Sequence, residues 1–285
     1  MKANILSSII FPLIFLGLPA AGQSAQATHP SSEVLVRQID HILIGSDQAE
    51  AVFRLFSEKF GLPVAWPFES YKDFASGGVG FGNVNIEIVR SERHPSGLTG
   101  VALEPTSLSE VLSGLDAHRL KHNDPSPYFG KDSSGTKTLW WTTVGVTSLP
   151  PAGSIFFCKY NFDVDGRRVR LHADLQKHEG GPLGIEALNE VVIGVKDMAA
   201  AQHDWSVLLG PVPPGQEPLW QIGSGPAIRL VAGKEDGLVL LRVKVKSLER
   251  ARAFLKAENM LGFDAEHEIS LDSSHVAGAD VRLVE

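Results

Sequence analysis

The first predicted element is a run of branched apolar residues, 38–46 (QIDHILIGS), in which His41 is the one imidazole. Such a run predicts a buried strand. Apolar residues at near-helical spacing follow over 51–60 and end at a glycine, which predicts an amphipathic helix. Strands are then predicted around 64–71, at the glycine-rich stretch 77–82 and at 84–89, where apolar and polar positions alternate. The first unit therefore has the order β-α-β-β-β.

A second unit repeats this order with a longer middle. Its helix is predicted over 107–120 and begins with a capping box, because Ser107 is followed three residues later by Glu110. Its strands are predicted at 98–103, 138–146 (TLWWTTVGV) and 154–160. The charged stretch that follows, 161–181, is predicted to be a loop that contains a domain boundary.

The third unit repeats the first without a gap. Residues 189–210 (NEVVIGVKDMAAAQHDWSVLLG) align with residues 40–61 (DHILIGSDQAEAVFRLFSEKFG), so that Glu190 takes the place of His41. This self-similarity indicates internal duplication. The fourth unit has a strand (VLLRVKVKS), a helix over 248–258 and a closing strand (ADVRLVE).

Four such units predict an α+β fold in which they pair into two domains, residues 34–175 and 176–285. One continuous parallel sheet would contradict this prediction. The predicted core contains Ile42, Ile44, Phe53, Phe56, Ile86, Ile88, Val191, Ile193, Leu208, Leu230, Val243, Val245, Phe254 and Leu283.

Residues 1–27 have the pattern of an export signal. Lys2 gives a basic start, an apolar stretch covers 5–18, and small residues lead to Ala27. A membrane anchor fits less well, because a proline and polar residues shorten the apolar run below the roughly 20 residues that a span needs. We therefore expect cleavage after Ala27, a polar leader over 28–33, and a periplasmic or secreted protein that does not contact the membrane.

Charge and cysteine content narrow the classes of partner. The chain has 26 Lys and Arg against 33 Asp and Glu, a net charge of −7, so it lacks the basic face that nucleic-acid binding requires. The single cysteine, Cys158, excludes intramolecular disulfides. Its aromatic surroundings (SIFFCKYN) predict a buried thiol rather than a nucleophile.

The repeated unit resembles the vicinal oxygen chelate superfamily, the fold of glyoxalases and extradiol dioxygenases. The segments that carry the resemblance are IDHILIG, the helix end KFGL and the strand NVNIEIV. The resemblance implies that two units pair with their sheets wrapped around a cleft. It also implies a divalent metal, held by side chains from the first and last strands of the units.

Carried over by position, the resemblance implies that His41 and Glu87 are metal ligands. An imidazole and a carboxylate suit Zn, Mn, Fe or Ni. Alternatively, His41 is a buried histidine hydrogen-bonded in a cleft, and Glu87 is a solvent-facing strand residue. The second unit has no His or acid at the matching place, 98–101, so a third ligand is missing there. His172 or His178 could supply one, with a surface role as the alternative.

The third unit has Glu190 and Arg229 at the places of His41 and Glu87. A carboxylate opposite a guanidinium predicts a structural charge pair, and the guanidinium would repel a divalent ion. The second domain is therefore predicted to be a degenerate copy, and the ligand site is placed in the first domain.

Two adjacent aromatic pairs, Trp140-Trp141 and Phe156-Phe157, lie on predicted strands. Because side chains alternate along a strand, one member of each pair should face the cleft and the other the helices. The candidate pocket residues are Trp140, Trp141, Phe157 and Tyr160, with a place in the core as the alternative.

Three functions are compatible with these observations. The first is a metal-dependent lyase, isomerase or dioxygenase of the vicinal oxygen chelate type, acting on a small oxygen-bearing organic molecule. The second is a metal-free protein that binds or sequesters such a molecule, and the third is a structural or interaction protein. Because four units in one chain can complete both pairs internally, a monomer is favoured.

Overall fold

The computed structural model describes residues 34–90, 92, 95–131 and 134–285. The predicted signal peptide, 1–27, and leader, 28–33, lie outside the described residues. In the described part of the chain, no helix is long and apolar enough to cross a membrane.

Residues of the first two units form one mixed sheet of eight strands, in the order β2-β3-β4-β1-β5-β8-β7-β6. The strands are β1 (Val36–Gly45), β2 (Val64–Ser70), β3 (Ala75–Gly80), β4 (Asn85–Arg90), β5 (Gly97–Pro105), β6 (Ser126–Lys131), β7 (Lys137–Gly145) and β8 (Ile155–Tyr160). The helices are α1 (Ala49–Arg54), which continues as a π-helical turn (Leu55–Lys59), and α2 (Leu108–Ala117).

Residues of the last two units form a second sheet of seven strands, in the order β10-β11-β9-β12-β15-β14-β13. The strands are β9 (Ile185–Val195), β10 (Leu219–Gln221), β11 (Ala227–Ala232), β12 (Gly237–Val245), β13 (Leu261–Asp264), β14 (Ile269–Leu271) and β15 (Val281–Val284). The helices are α4 (Met198–Leu209), α5 (Leu248–Ala257) and a 3₁₀ turn (Ser273–Val276).

Each half pairs its units in the same way. In the first sheet β1 runs parallel to β4 and antiparallel to β5, and in the second sheet β9 runs parallel to β11 and antiparallel to β12. The predicted α+β fold of four paired units is therefore confirmed, although the third unit has one strand fewer than the others and the order β-α-β-β. Strand β6 lies in the longer middle of the second unit, where the sequence pattern did not reveal it.

The core lies between the sheets and the helices packed on them. Thirteen of the fourteen predicted core residues are buried, and Phe254 is partly buried against the same cluster. The capping box of α2 is present, because the Ser107 hydroxyl accepts a hydrogen bond from the backbone N–H of Glu110 at 3.1 Å.

The charged stretch predicted as a loop is mainly a helix, α3 (Val164–Lys177), which leads from the first sheet to the second. The prediction of a loop was wrong because the stretch has few apolar residues. Only Val164, Leu171 and Leu175 are buried, and most of the other residues of the helix are charged or polar. The Asp163 carboxylate caps its start by accepting from the N–H of Gly166 at 2.9 Å. Helix α3 packs against β2, β3 and β9, and so its first turn lies at one side of the first sheet.

Candidate functional site

The first sheet encloses a cavity of about 570 Å³, within the size range of small-molecule sites. His41 and Leu43 of β1 line it together with Glu87 and Val89 of β4. Its aromatic lining consists of Trp66, Tyr71, Phe74, Trp140, Trp141, Phe156, Tyr160 and Phe162. The cavity is therefore an apolar, aromatic chamber with a small number of polar groups.

A β-bulge in β1 brings Asp40 and His41 together. In the pairing with β5, Ile39 lies opposite Leu103 and His41 opposite Ala102, so Asp40 is the extra residue. In a regular strand, Asp40 would face the helices with Ile42, on the side opposite His41. The bulge re-aims its carboxylate, and Oδ2 of Asp40 lies 2.6 Å from Nδ1 of His41.

Asp40 is fully buried and anchors a hydrogen-bonded network. Its Oδ2 also accepts from the Tyr160 hydroxyl at 3.0 Å, and its Oδ1 accepts from Nη2 of Arg168 at 2.7 Å. Burial alone would raise the pKa of Asp40, but the hydrogen bond from His41 and the charges of His41 and Arg168 lower it to about 2. Asp40 is therefore a buried carboxylate that stays ionised.

The other ring nitrogen of His41 points to Glu87. Nε2 lies 3.1 Å from Oε2 of Glu87, at the wall of the cavity. Burial would lower the pKa of His41, but its hydrogen bonds to Asp40 and Glu87 raise that pKa to about 9. At neutral pH, His41 is therefore an imidazolium held between two carboxylates, and both Nε2 and the Glu87 carboxylate lie beside the cavity.

The structure thus brings together the two residues that the resemblance implies as metal ligands, His41 and Glu87. The second unit has Gly100 and Phe156 at the corresponding places. Gly100 precedes the helix cap Ser107 by the same number of residues as His41 precedes Gln48. Phe156 lies opposite Ala102 of β5 much as Glu87 lies opposite Leu43 of β1.

Neither Gly100 nor Phe156 supplies a donor atom from its side chain. His172 on α3 and His178 just after its end are both exposed and do not line the cavity. Among the residues that the structure describes, no group of three His, Cys, Asp or Glu side chains is arranged to hold a metal ion. Catalytic divalent metals usually take three protein ligands, so the two donors present do not complete such a site.

Both predicted pocket tryptophans, Trp140 and Trp141, line the cavity. A second bulge explains why they do not alternate: Tyr128 pairs with Trp141 and Phe129 with Leu139, which leaves Trp140 as the extra residue. Trp140 lies directly on Gly130, where a Cβ atom would come within 2.1 Å of its ring. Trp141 stacks on Tyr128 with ring centroids 4.1 Å apart.

The adjacent pair on β8, Phe156 and Phe157, does alternate between the two faces of the sheet. Phe157 was predicted to line the pocket, but the structure has the opposite orientation. Phe157 is completely buried in the core, and Phe156 faces the cavity with its ring 5.7 Å from that of His41. Tyr160 lines the cavity as predicted. Cys158 also borders the cavity, and burial raises the pKa of its thiol, so the thiol stays protonated.

The residues of the site that did not emerge from the sequence as site residues include Asp40, Trp66, Arg167 and Arg168. Asp40 reaches the site through a bulge, and the two arginines lie on the helix that was predicted to be a loop. Trp66 packs on Gly78, where a Cβ atom would come within 2.5 Å of the indole. A glycine-rich strand paired with a strand that carries a tryptophan is the signal that could have indicated this contact.

The equivalent region of the second sheet is filled by ion pairs. Glu190 accepts from Nη2 of Arg229 at 2.8 Å, from Nε of Arg229 at 3.1 Å and from Nη1 of Arg242 at 2.7 Å. The hydrogen bonds from Arg229 and Arg242 lower the pKa of Glu190. Arg242 and Arg282 in turn bind Glu268. Arg229 occupies the register position of Glu87, because it pairs with Val192 as Glu87 pairs with Leu43.

No protein-family model matches the sequence. No curated protein is significantly similar to it. Solved structures do match the fold. A hypothetical protein from Staphylococcus aureus is 13% identical, with a TM-score of 0.59, over 86% of this chain and 98% of that one.

Two further structures have named activities. Homoprotocatechuate 2,3-dioxygenase from Arthrobacter globiformis is 12% identical, with a TM-score of 0.56, over 88% of this chain and 81% of that one. A Mn(II)-bound glyoxalase from Novosphingobium aromaticivorans is also 12% identical, with a TM-score of 0.54, over 88% of this chain and 83% of that one. At these identities the similarity shows the fold alone, which this chain shares with the dioxygenase and the glyoxalase, and it agrees with the fold that the resemblance in the sequence implies.

Proposed function

We propose that the cavity of the first domain binds a small, planar organic molecule that carries oxygen atoms, and that His41 and Glu87 bind those oxygens. The observation that carries this proposal is the cavity itself: about 570 Å³, walled by aromatic rings, with an imidazolium and a carboxylate 3.1 Å apart at one wall. Apolar pockets with a few convergent polar groups are the usual form of small-molecule sites.

The shape of the lining favours a planar ligand. Trp66 and Phe156 both stand edge-on to the His41 ring, with centroids 6.1 and 5.7 Å from it. Flat ring systems can stack against such walls, and aromatic contacts add to the gain from burying apolar surface. Hydrogen bonds to His41 and Glu87 would then orient the oxygen-bearing edge of the ligand, because His41 lies next to both rings and Glu87 lies next to His41.

The proposal assigns no step to a metal ion, because the described residues supply two donors where a catalytic site usually needs three. The similar structures include one described as Mn(II)-bound, so metal content belongs to the test. Metal-free binding or sequestration is therefore the function that the donor set supports.

Titration calorimetry with catechol, benzamide and benzoate, with and without a chelator, tests the proposal. We expect at least one probe to bind with and without the chelator, and Thr143→Trp, which fills the cavity, to abolish binding. His41→Gln should weaken binding, and His172→Gln, a change on the exposed face of α3, should not. Binding that survives in Thr143→Trp would contradict the proposal. Stoichiometric metal, together with binding that the chelator removes, would favour the metal-dependent function.

Acid–base catalysis on the bound molecule is a second candidate, favoured by the chain of hydrogen bonds from Asp40 through His41 to Glu87. Glu87 could take a proton from a carbon next to a carbonyl while Nε2 of His41 donates a hydrogen bond to the carbonyl oxygen. Benzyl methyl ketone in D₂O tests this, because its methylene protons exchange by that reaction. Exchange catalysed by the wild type and lost in Glu87→Gln would support it, and equal rates would contradict it.

We also propose that the protein is exported and works as a monomer. The basic start, the apolar stretch and the small residues before Ala27 support export. Pairing of all four units within one chain supports a monomer. N-terminal sequencing of the protein from cell fractions tests the first, with Thr28 expected as the first residue. Light scattering tests the second.

A further inference from the structure

Arg167 lies in the first turn of α3 and lines the cavity. Three aromatic rings surround its guanidinium. Cζ lies 5.2 Å from the ring centre of Tyr160, 5.2 Å from that of Phe162 and 5.6 Å from that of Trp66. The charge is therefore held at an apolar wall, where cation–π contacts stabilise it.

No acidic side chain in the described part of the chain forms an ion pair with Arg167. Its Nε and Nη2 atoms are shielded from solvent, and neither has a hydrogen-bond partner among the described residues. The next residue, Arg168, differs sharply, because it binds Asp40 and Glu104 at 2.7 Å and Asp165 at 3.0 Å. Two adjacent arginines thus have different roles: Arg168 forms ion pairs with buried carboxylates, whereas Arg167 forms none with the described residues, although its charge also helps to lower the pKa of Asp40.

The acids beside the cavity, Asp40 and Glu87, interact directly with other groups. Asp40 is paired with His41 and Arg168, and Glu87 interacts with His41. Asp73, the remaining acid of the cavity wall, is exposed and does not pair with Arg167. Burial of a cation is costly unless a counterion or hydrogen bonds compensate it, and cation–π contacts leave the N–H groups unsatisfied.

We propose that Arg167 is the subsite for a carboxylate group of the ligand. The planar guanidinium matches the two oxygens of a carboxylate better than a compact ammonium would. Trp66 contacts both Arg167 and His41, so a planar acid anchored at Arg167 would lay its ring along Trp66 with its far edge near His41. The ligand class is therefore a small aromatic or similarly planar organic acid. This inference rests on the proposed binding function of the same cavity.

Comparison of benzoate with benzamide tests the inference, because the two probes have the same shape and differ in charge. We expect the wild type to bind benzoate more tightly by a factor on the order of ten or more. Arg167→Met should lose this preference and keep its affinity for benzamide. Arg167→Lys should keep part of the preference, and Arg170→Met, a matched change at an exposed position of the same helix, should keep all of it. Thermal unfolding of each variant checks that it is folded.

Other results would contradict the carboxylate subsite, the binding function of the cavity, or both. If benzamide binds in the cavity and benzoate has no advantage, or if the advantage persists in Arg167→Met, the carboxylate subsite is wrong and the proposed binding function stands. If phenyl phosphate binds more tightly than benzoate and depends on Arg167, the anion is a phosphate rather than a carboxylate. If none of the probes binds the wild type, both the subsite and the binding function are wrong.

Discussion

The Nδ1 atom of His41 lies 2.6 Å from Oδ2 of Asp40, although the two residues are neighbours on one strand. Successive side chains of a regular strand point to opposite faces, so this contact requires the bulge at Asp40. The contact fixes which ring nitrogen of His41 faces the cavity. It also leaves Nε2 next to Glu87, and so the bulge creates the polar end of the site.

The position of His41 between two carboxylates makes the stability of the fold depend on pH. Its pKa is about 9 in the folded protein and 6.5 in the absence of these contacts. A raised pKa in the folded state gives stabilisation that is present below pH 6.5 and is lost as the pH rises through 9. The shift corresponds to about 3 kcal/mol.

Urea unfolding of the wild type and of His41→Gln from about pH 6 to about pH 10 measures this effect. The difference in unfolding free energy between the two proteins should shrink across that range, because the wild type alone loses the imidazolium. A difference that stays constant over the range would show that His41 is not protonated between its carboxylates.

Arg168 should be essential for the stability of the fold, whereas Arg170, on the exposed face of the same helix, should not be. Arg168→Met would leave the buried Asp40 and Glu104 carboxylates short of their shared cation, at a cost of about 3 kcal/mol or more. Arg170→Met, at an exposed position, should change the unfolding free energy by less than about 0.5 kcal/mol. Equal effects in chemical denaturation would mean that the Asp40 network does not stabilise the fold.

Substitution of Glu87 should affect ligand binding, and substitution of Glu190 should affect the stability of the fold. Glu87→Gln should weaken the binding of the probes, because Glu87 lines the cavity. Glu190→Gln should leave binding unchanged and lower the unfolding free energy by about 2 kcal/mol, because Arg229 and Arg242 lose their shared carboxylate. Loss of binding in Glu190→Gln alone would move the site to the second sheet.

Gly78 should be required for the shape of the cavity. In Gly78→Ala the added Cβ would lie 2.5 Å from Trp66, so the indole must move, at a cost of about 1–3 kcal/mol and with weaker probe binding. Gly237→Ala is the control, since a Cβ atom there meets nothing within 4 Å. Unchanged binding by the folded Gly78→Ala variant would show that Trp66 does not form part of the ligand site.

The sequence predicted the fold better than the site, for physical reasons. Alternating and helical patterns repeat over four units, and an error in one unit leaves the others unaffected. His41, Glu87 and the Glu190–Arg229 pair lie in regular register, so alignment of the repeats could place them. Asp40 and Trp140 enter their surroundings through bulges, which a two-residue period cannot reveal.

Helix α3 was missed for a different reason. Its three buried positions, Val164, Leu171 and Leu175, are too few to give a strong helical pattern, and Arg167 and Arg168 therefore looked like solvent-facing charges of a loop. Their different roles depend on which carboxylates lie within reach across the sheet. Arg168 reaches Asp40 and Glu104, which are distant in sequence, and no local pattern encodes that contact.

The five tryptophans provide the most direct measurement of where a ligand binds. Trp66, Trp140 and Trp141 line the cavity, whereas Trp205 and Trp220 are buried in the second half, with their indole N–H groups bonded to Pro150 and Gly210. Titration of ¹⁵N-labelled protein with the tightest probe should shift the indole N–H signals of the three cavity tryptophans and leave the other two unchanged. If the signals of Trp205 and Trp220 shift, or if no indole signal shifts at saturation, the cavity of the first domain is not the binding site.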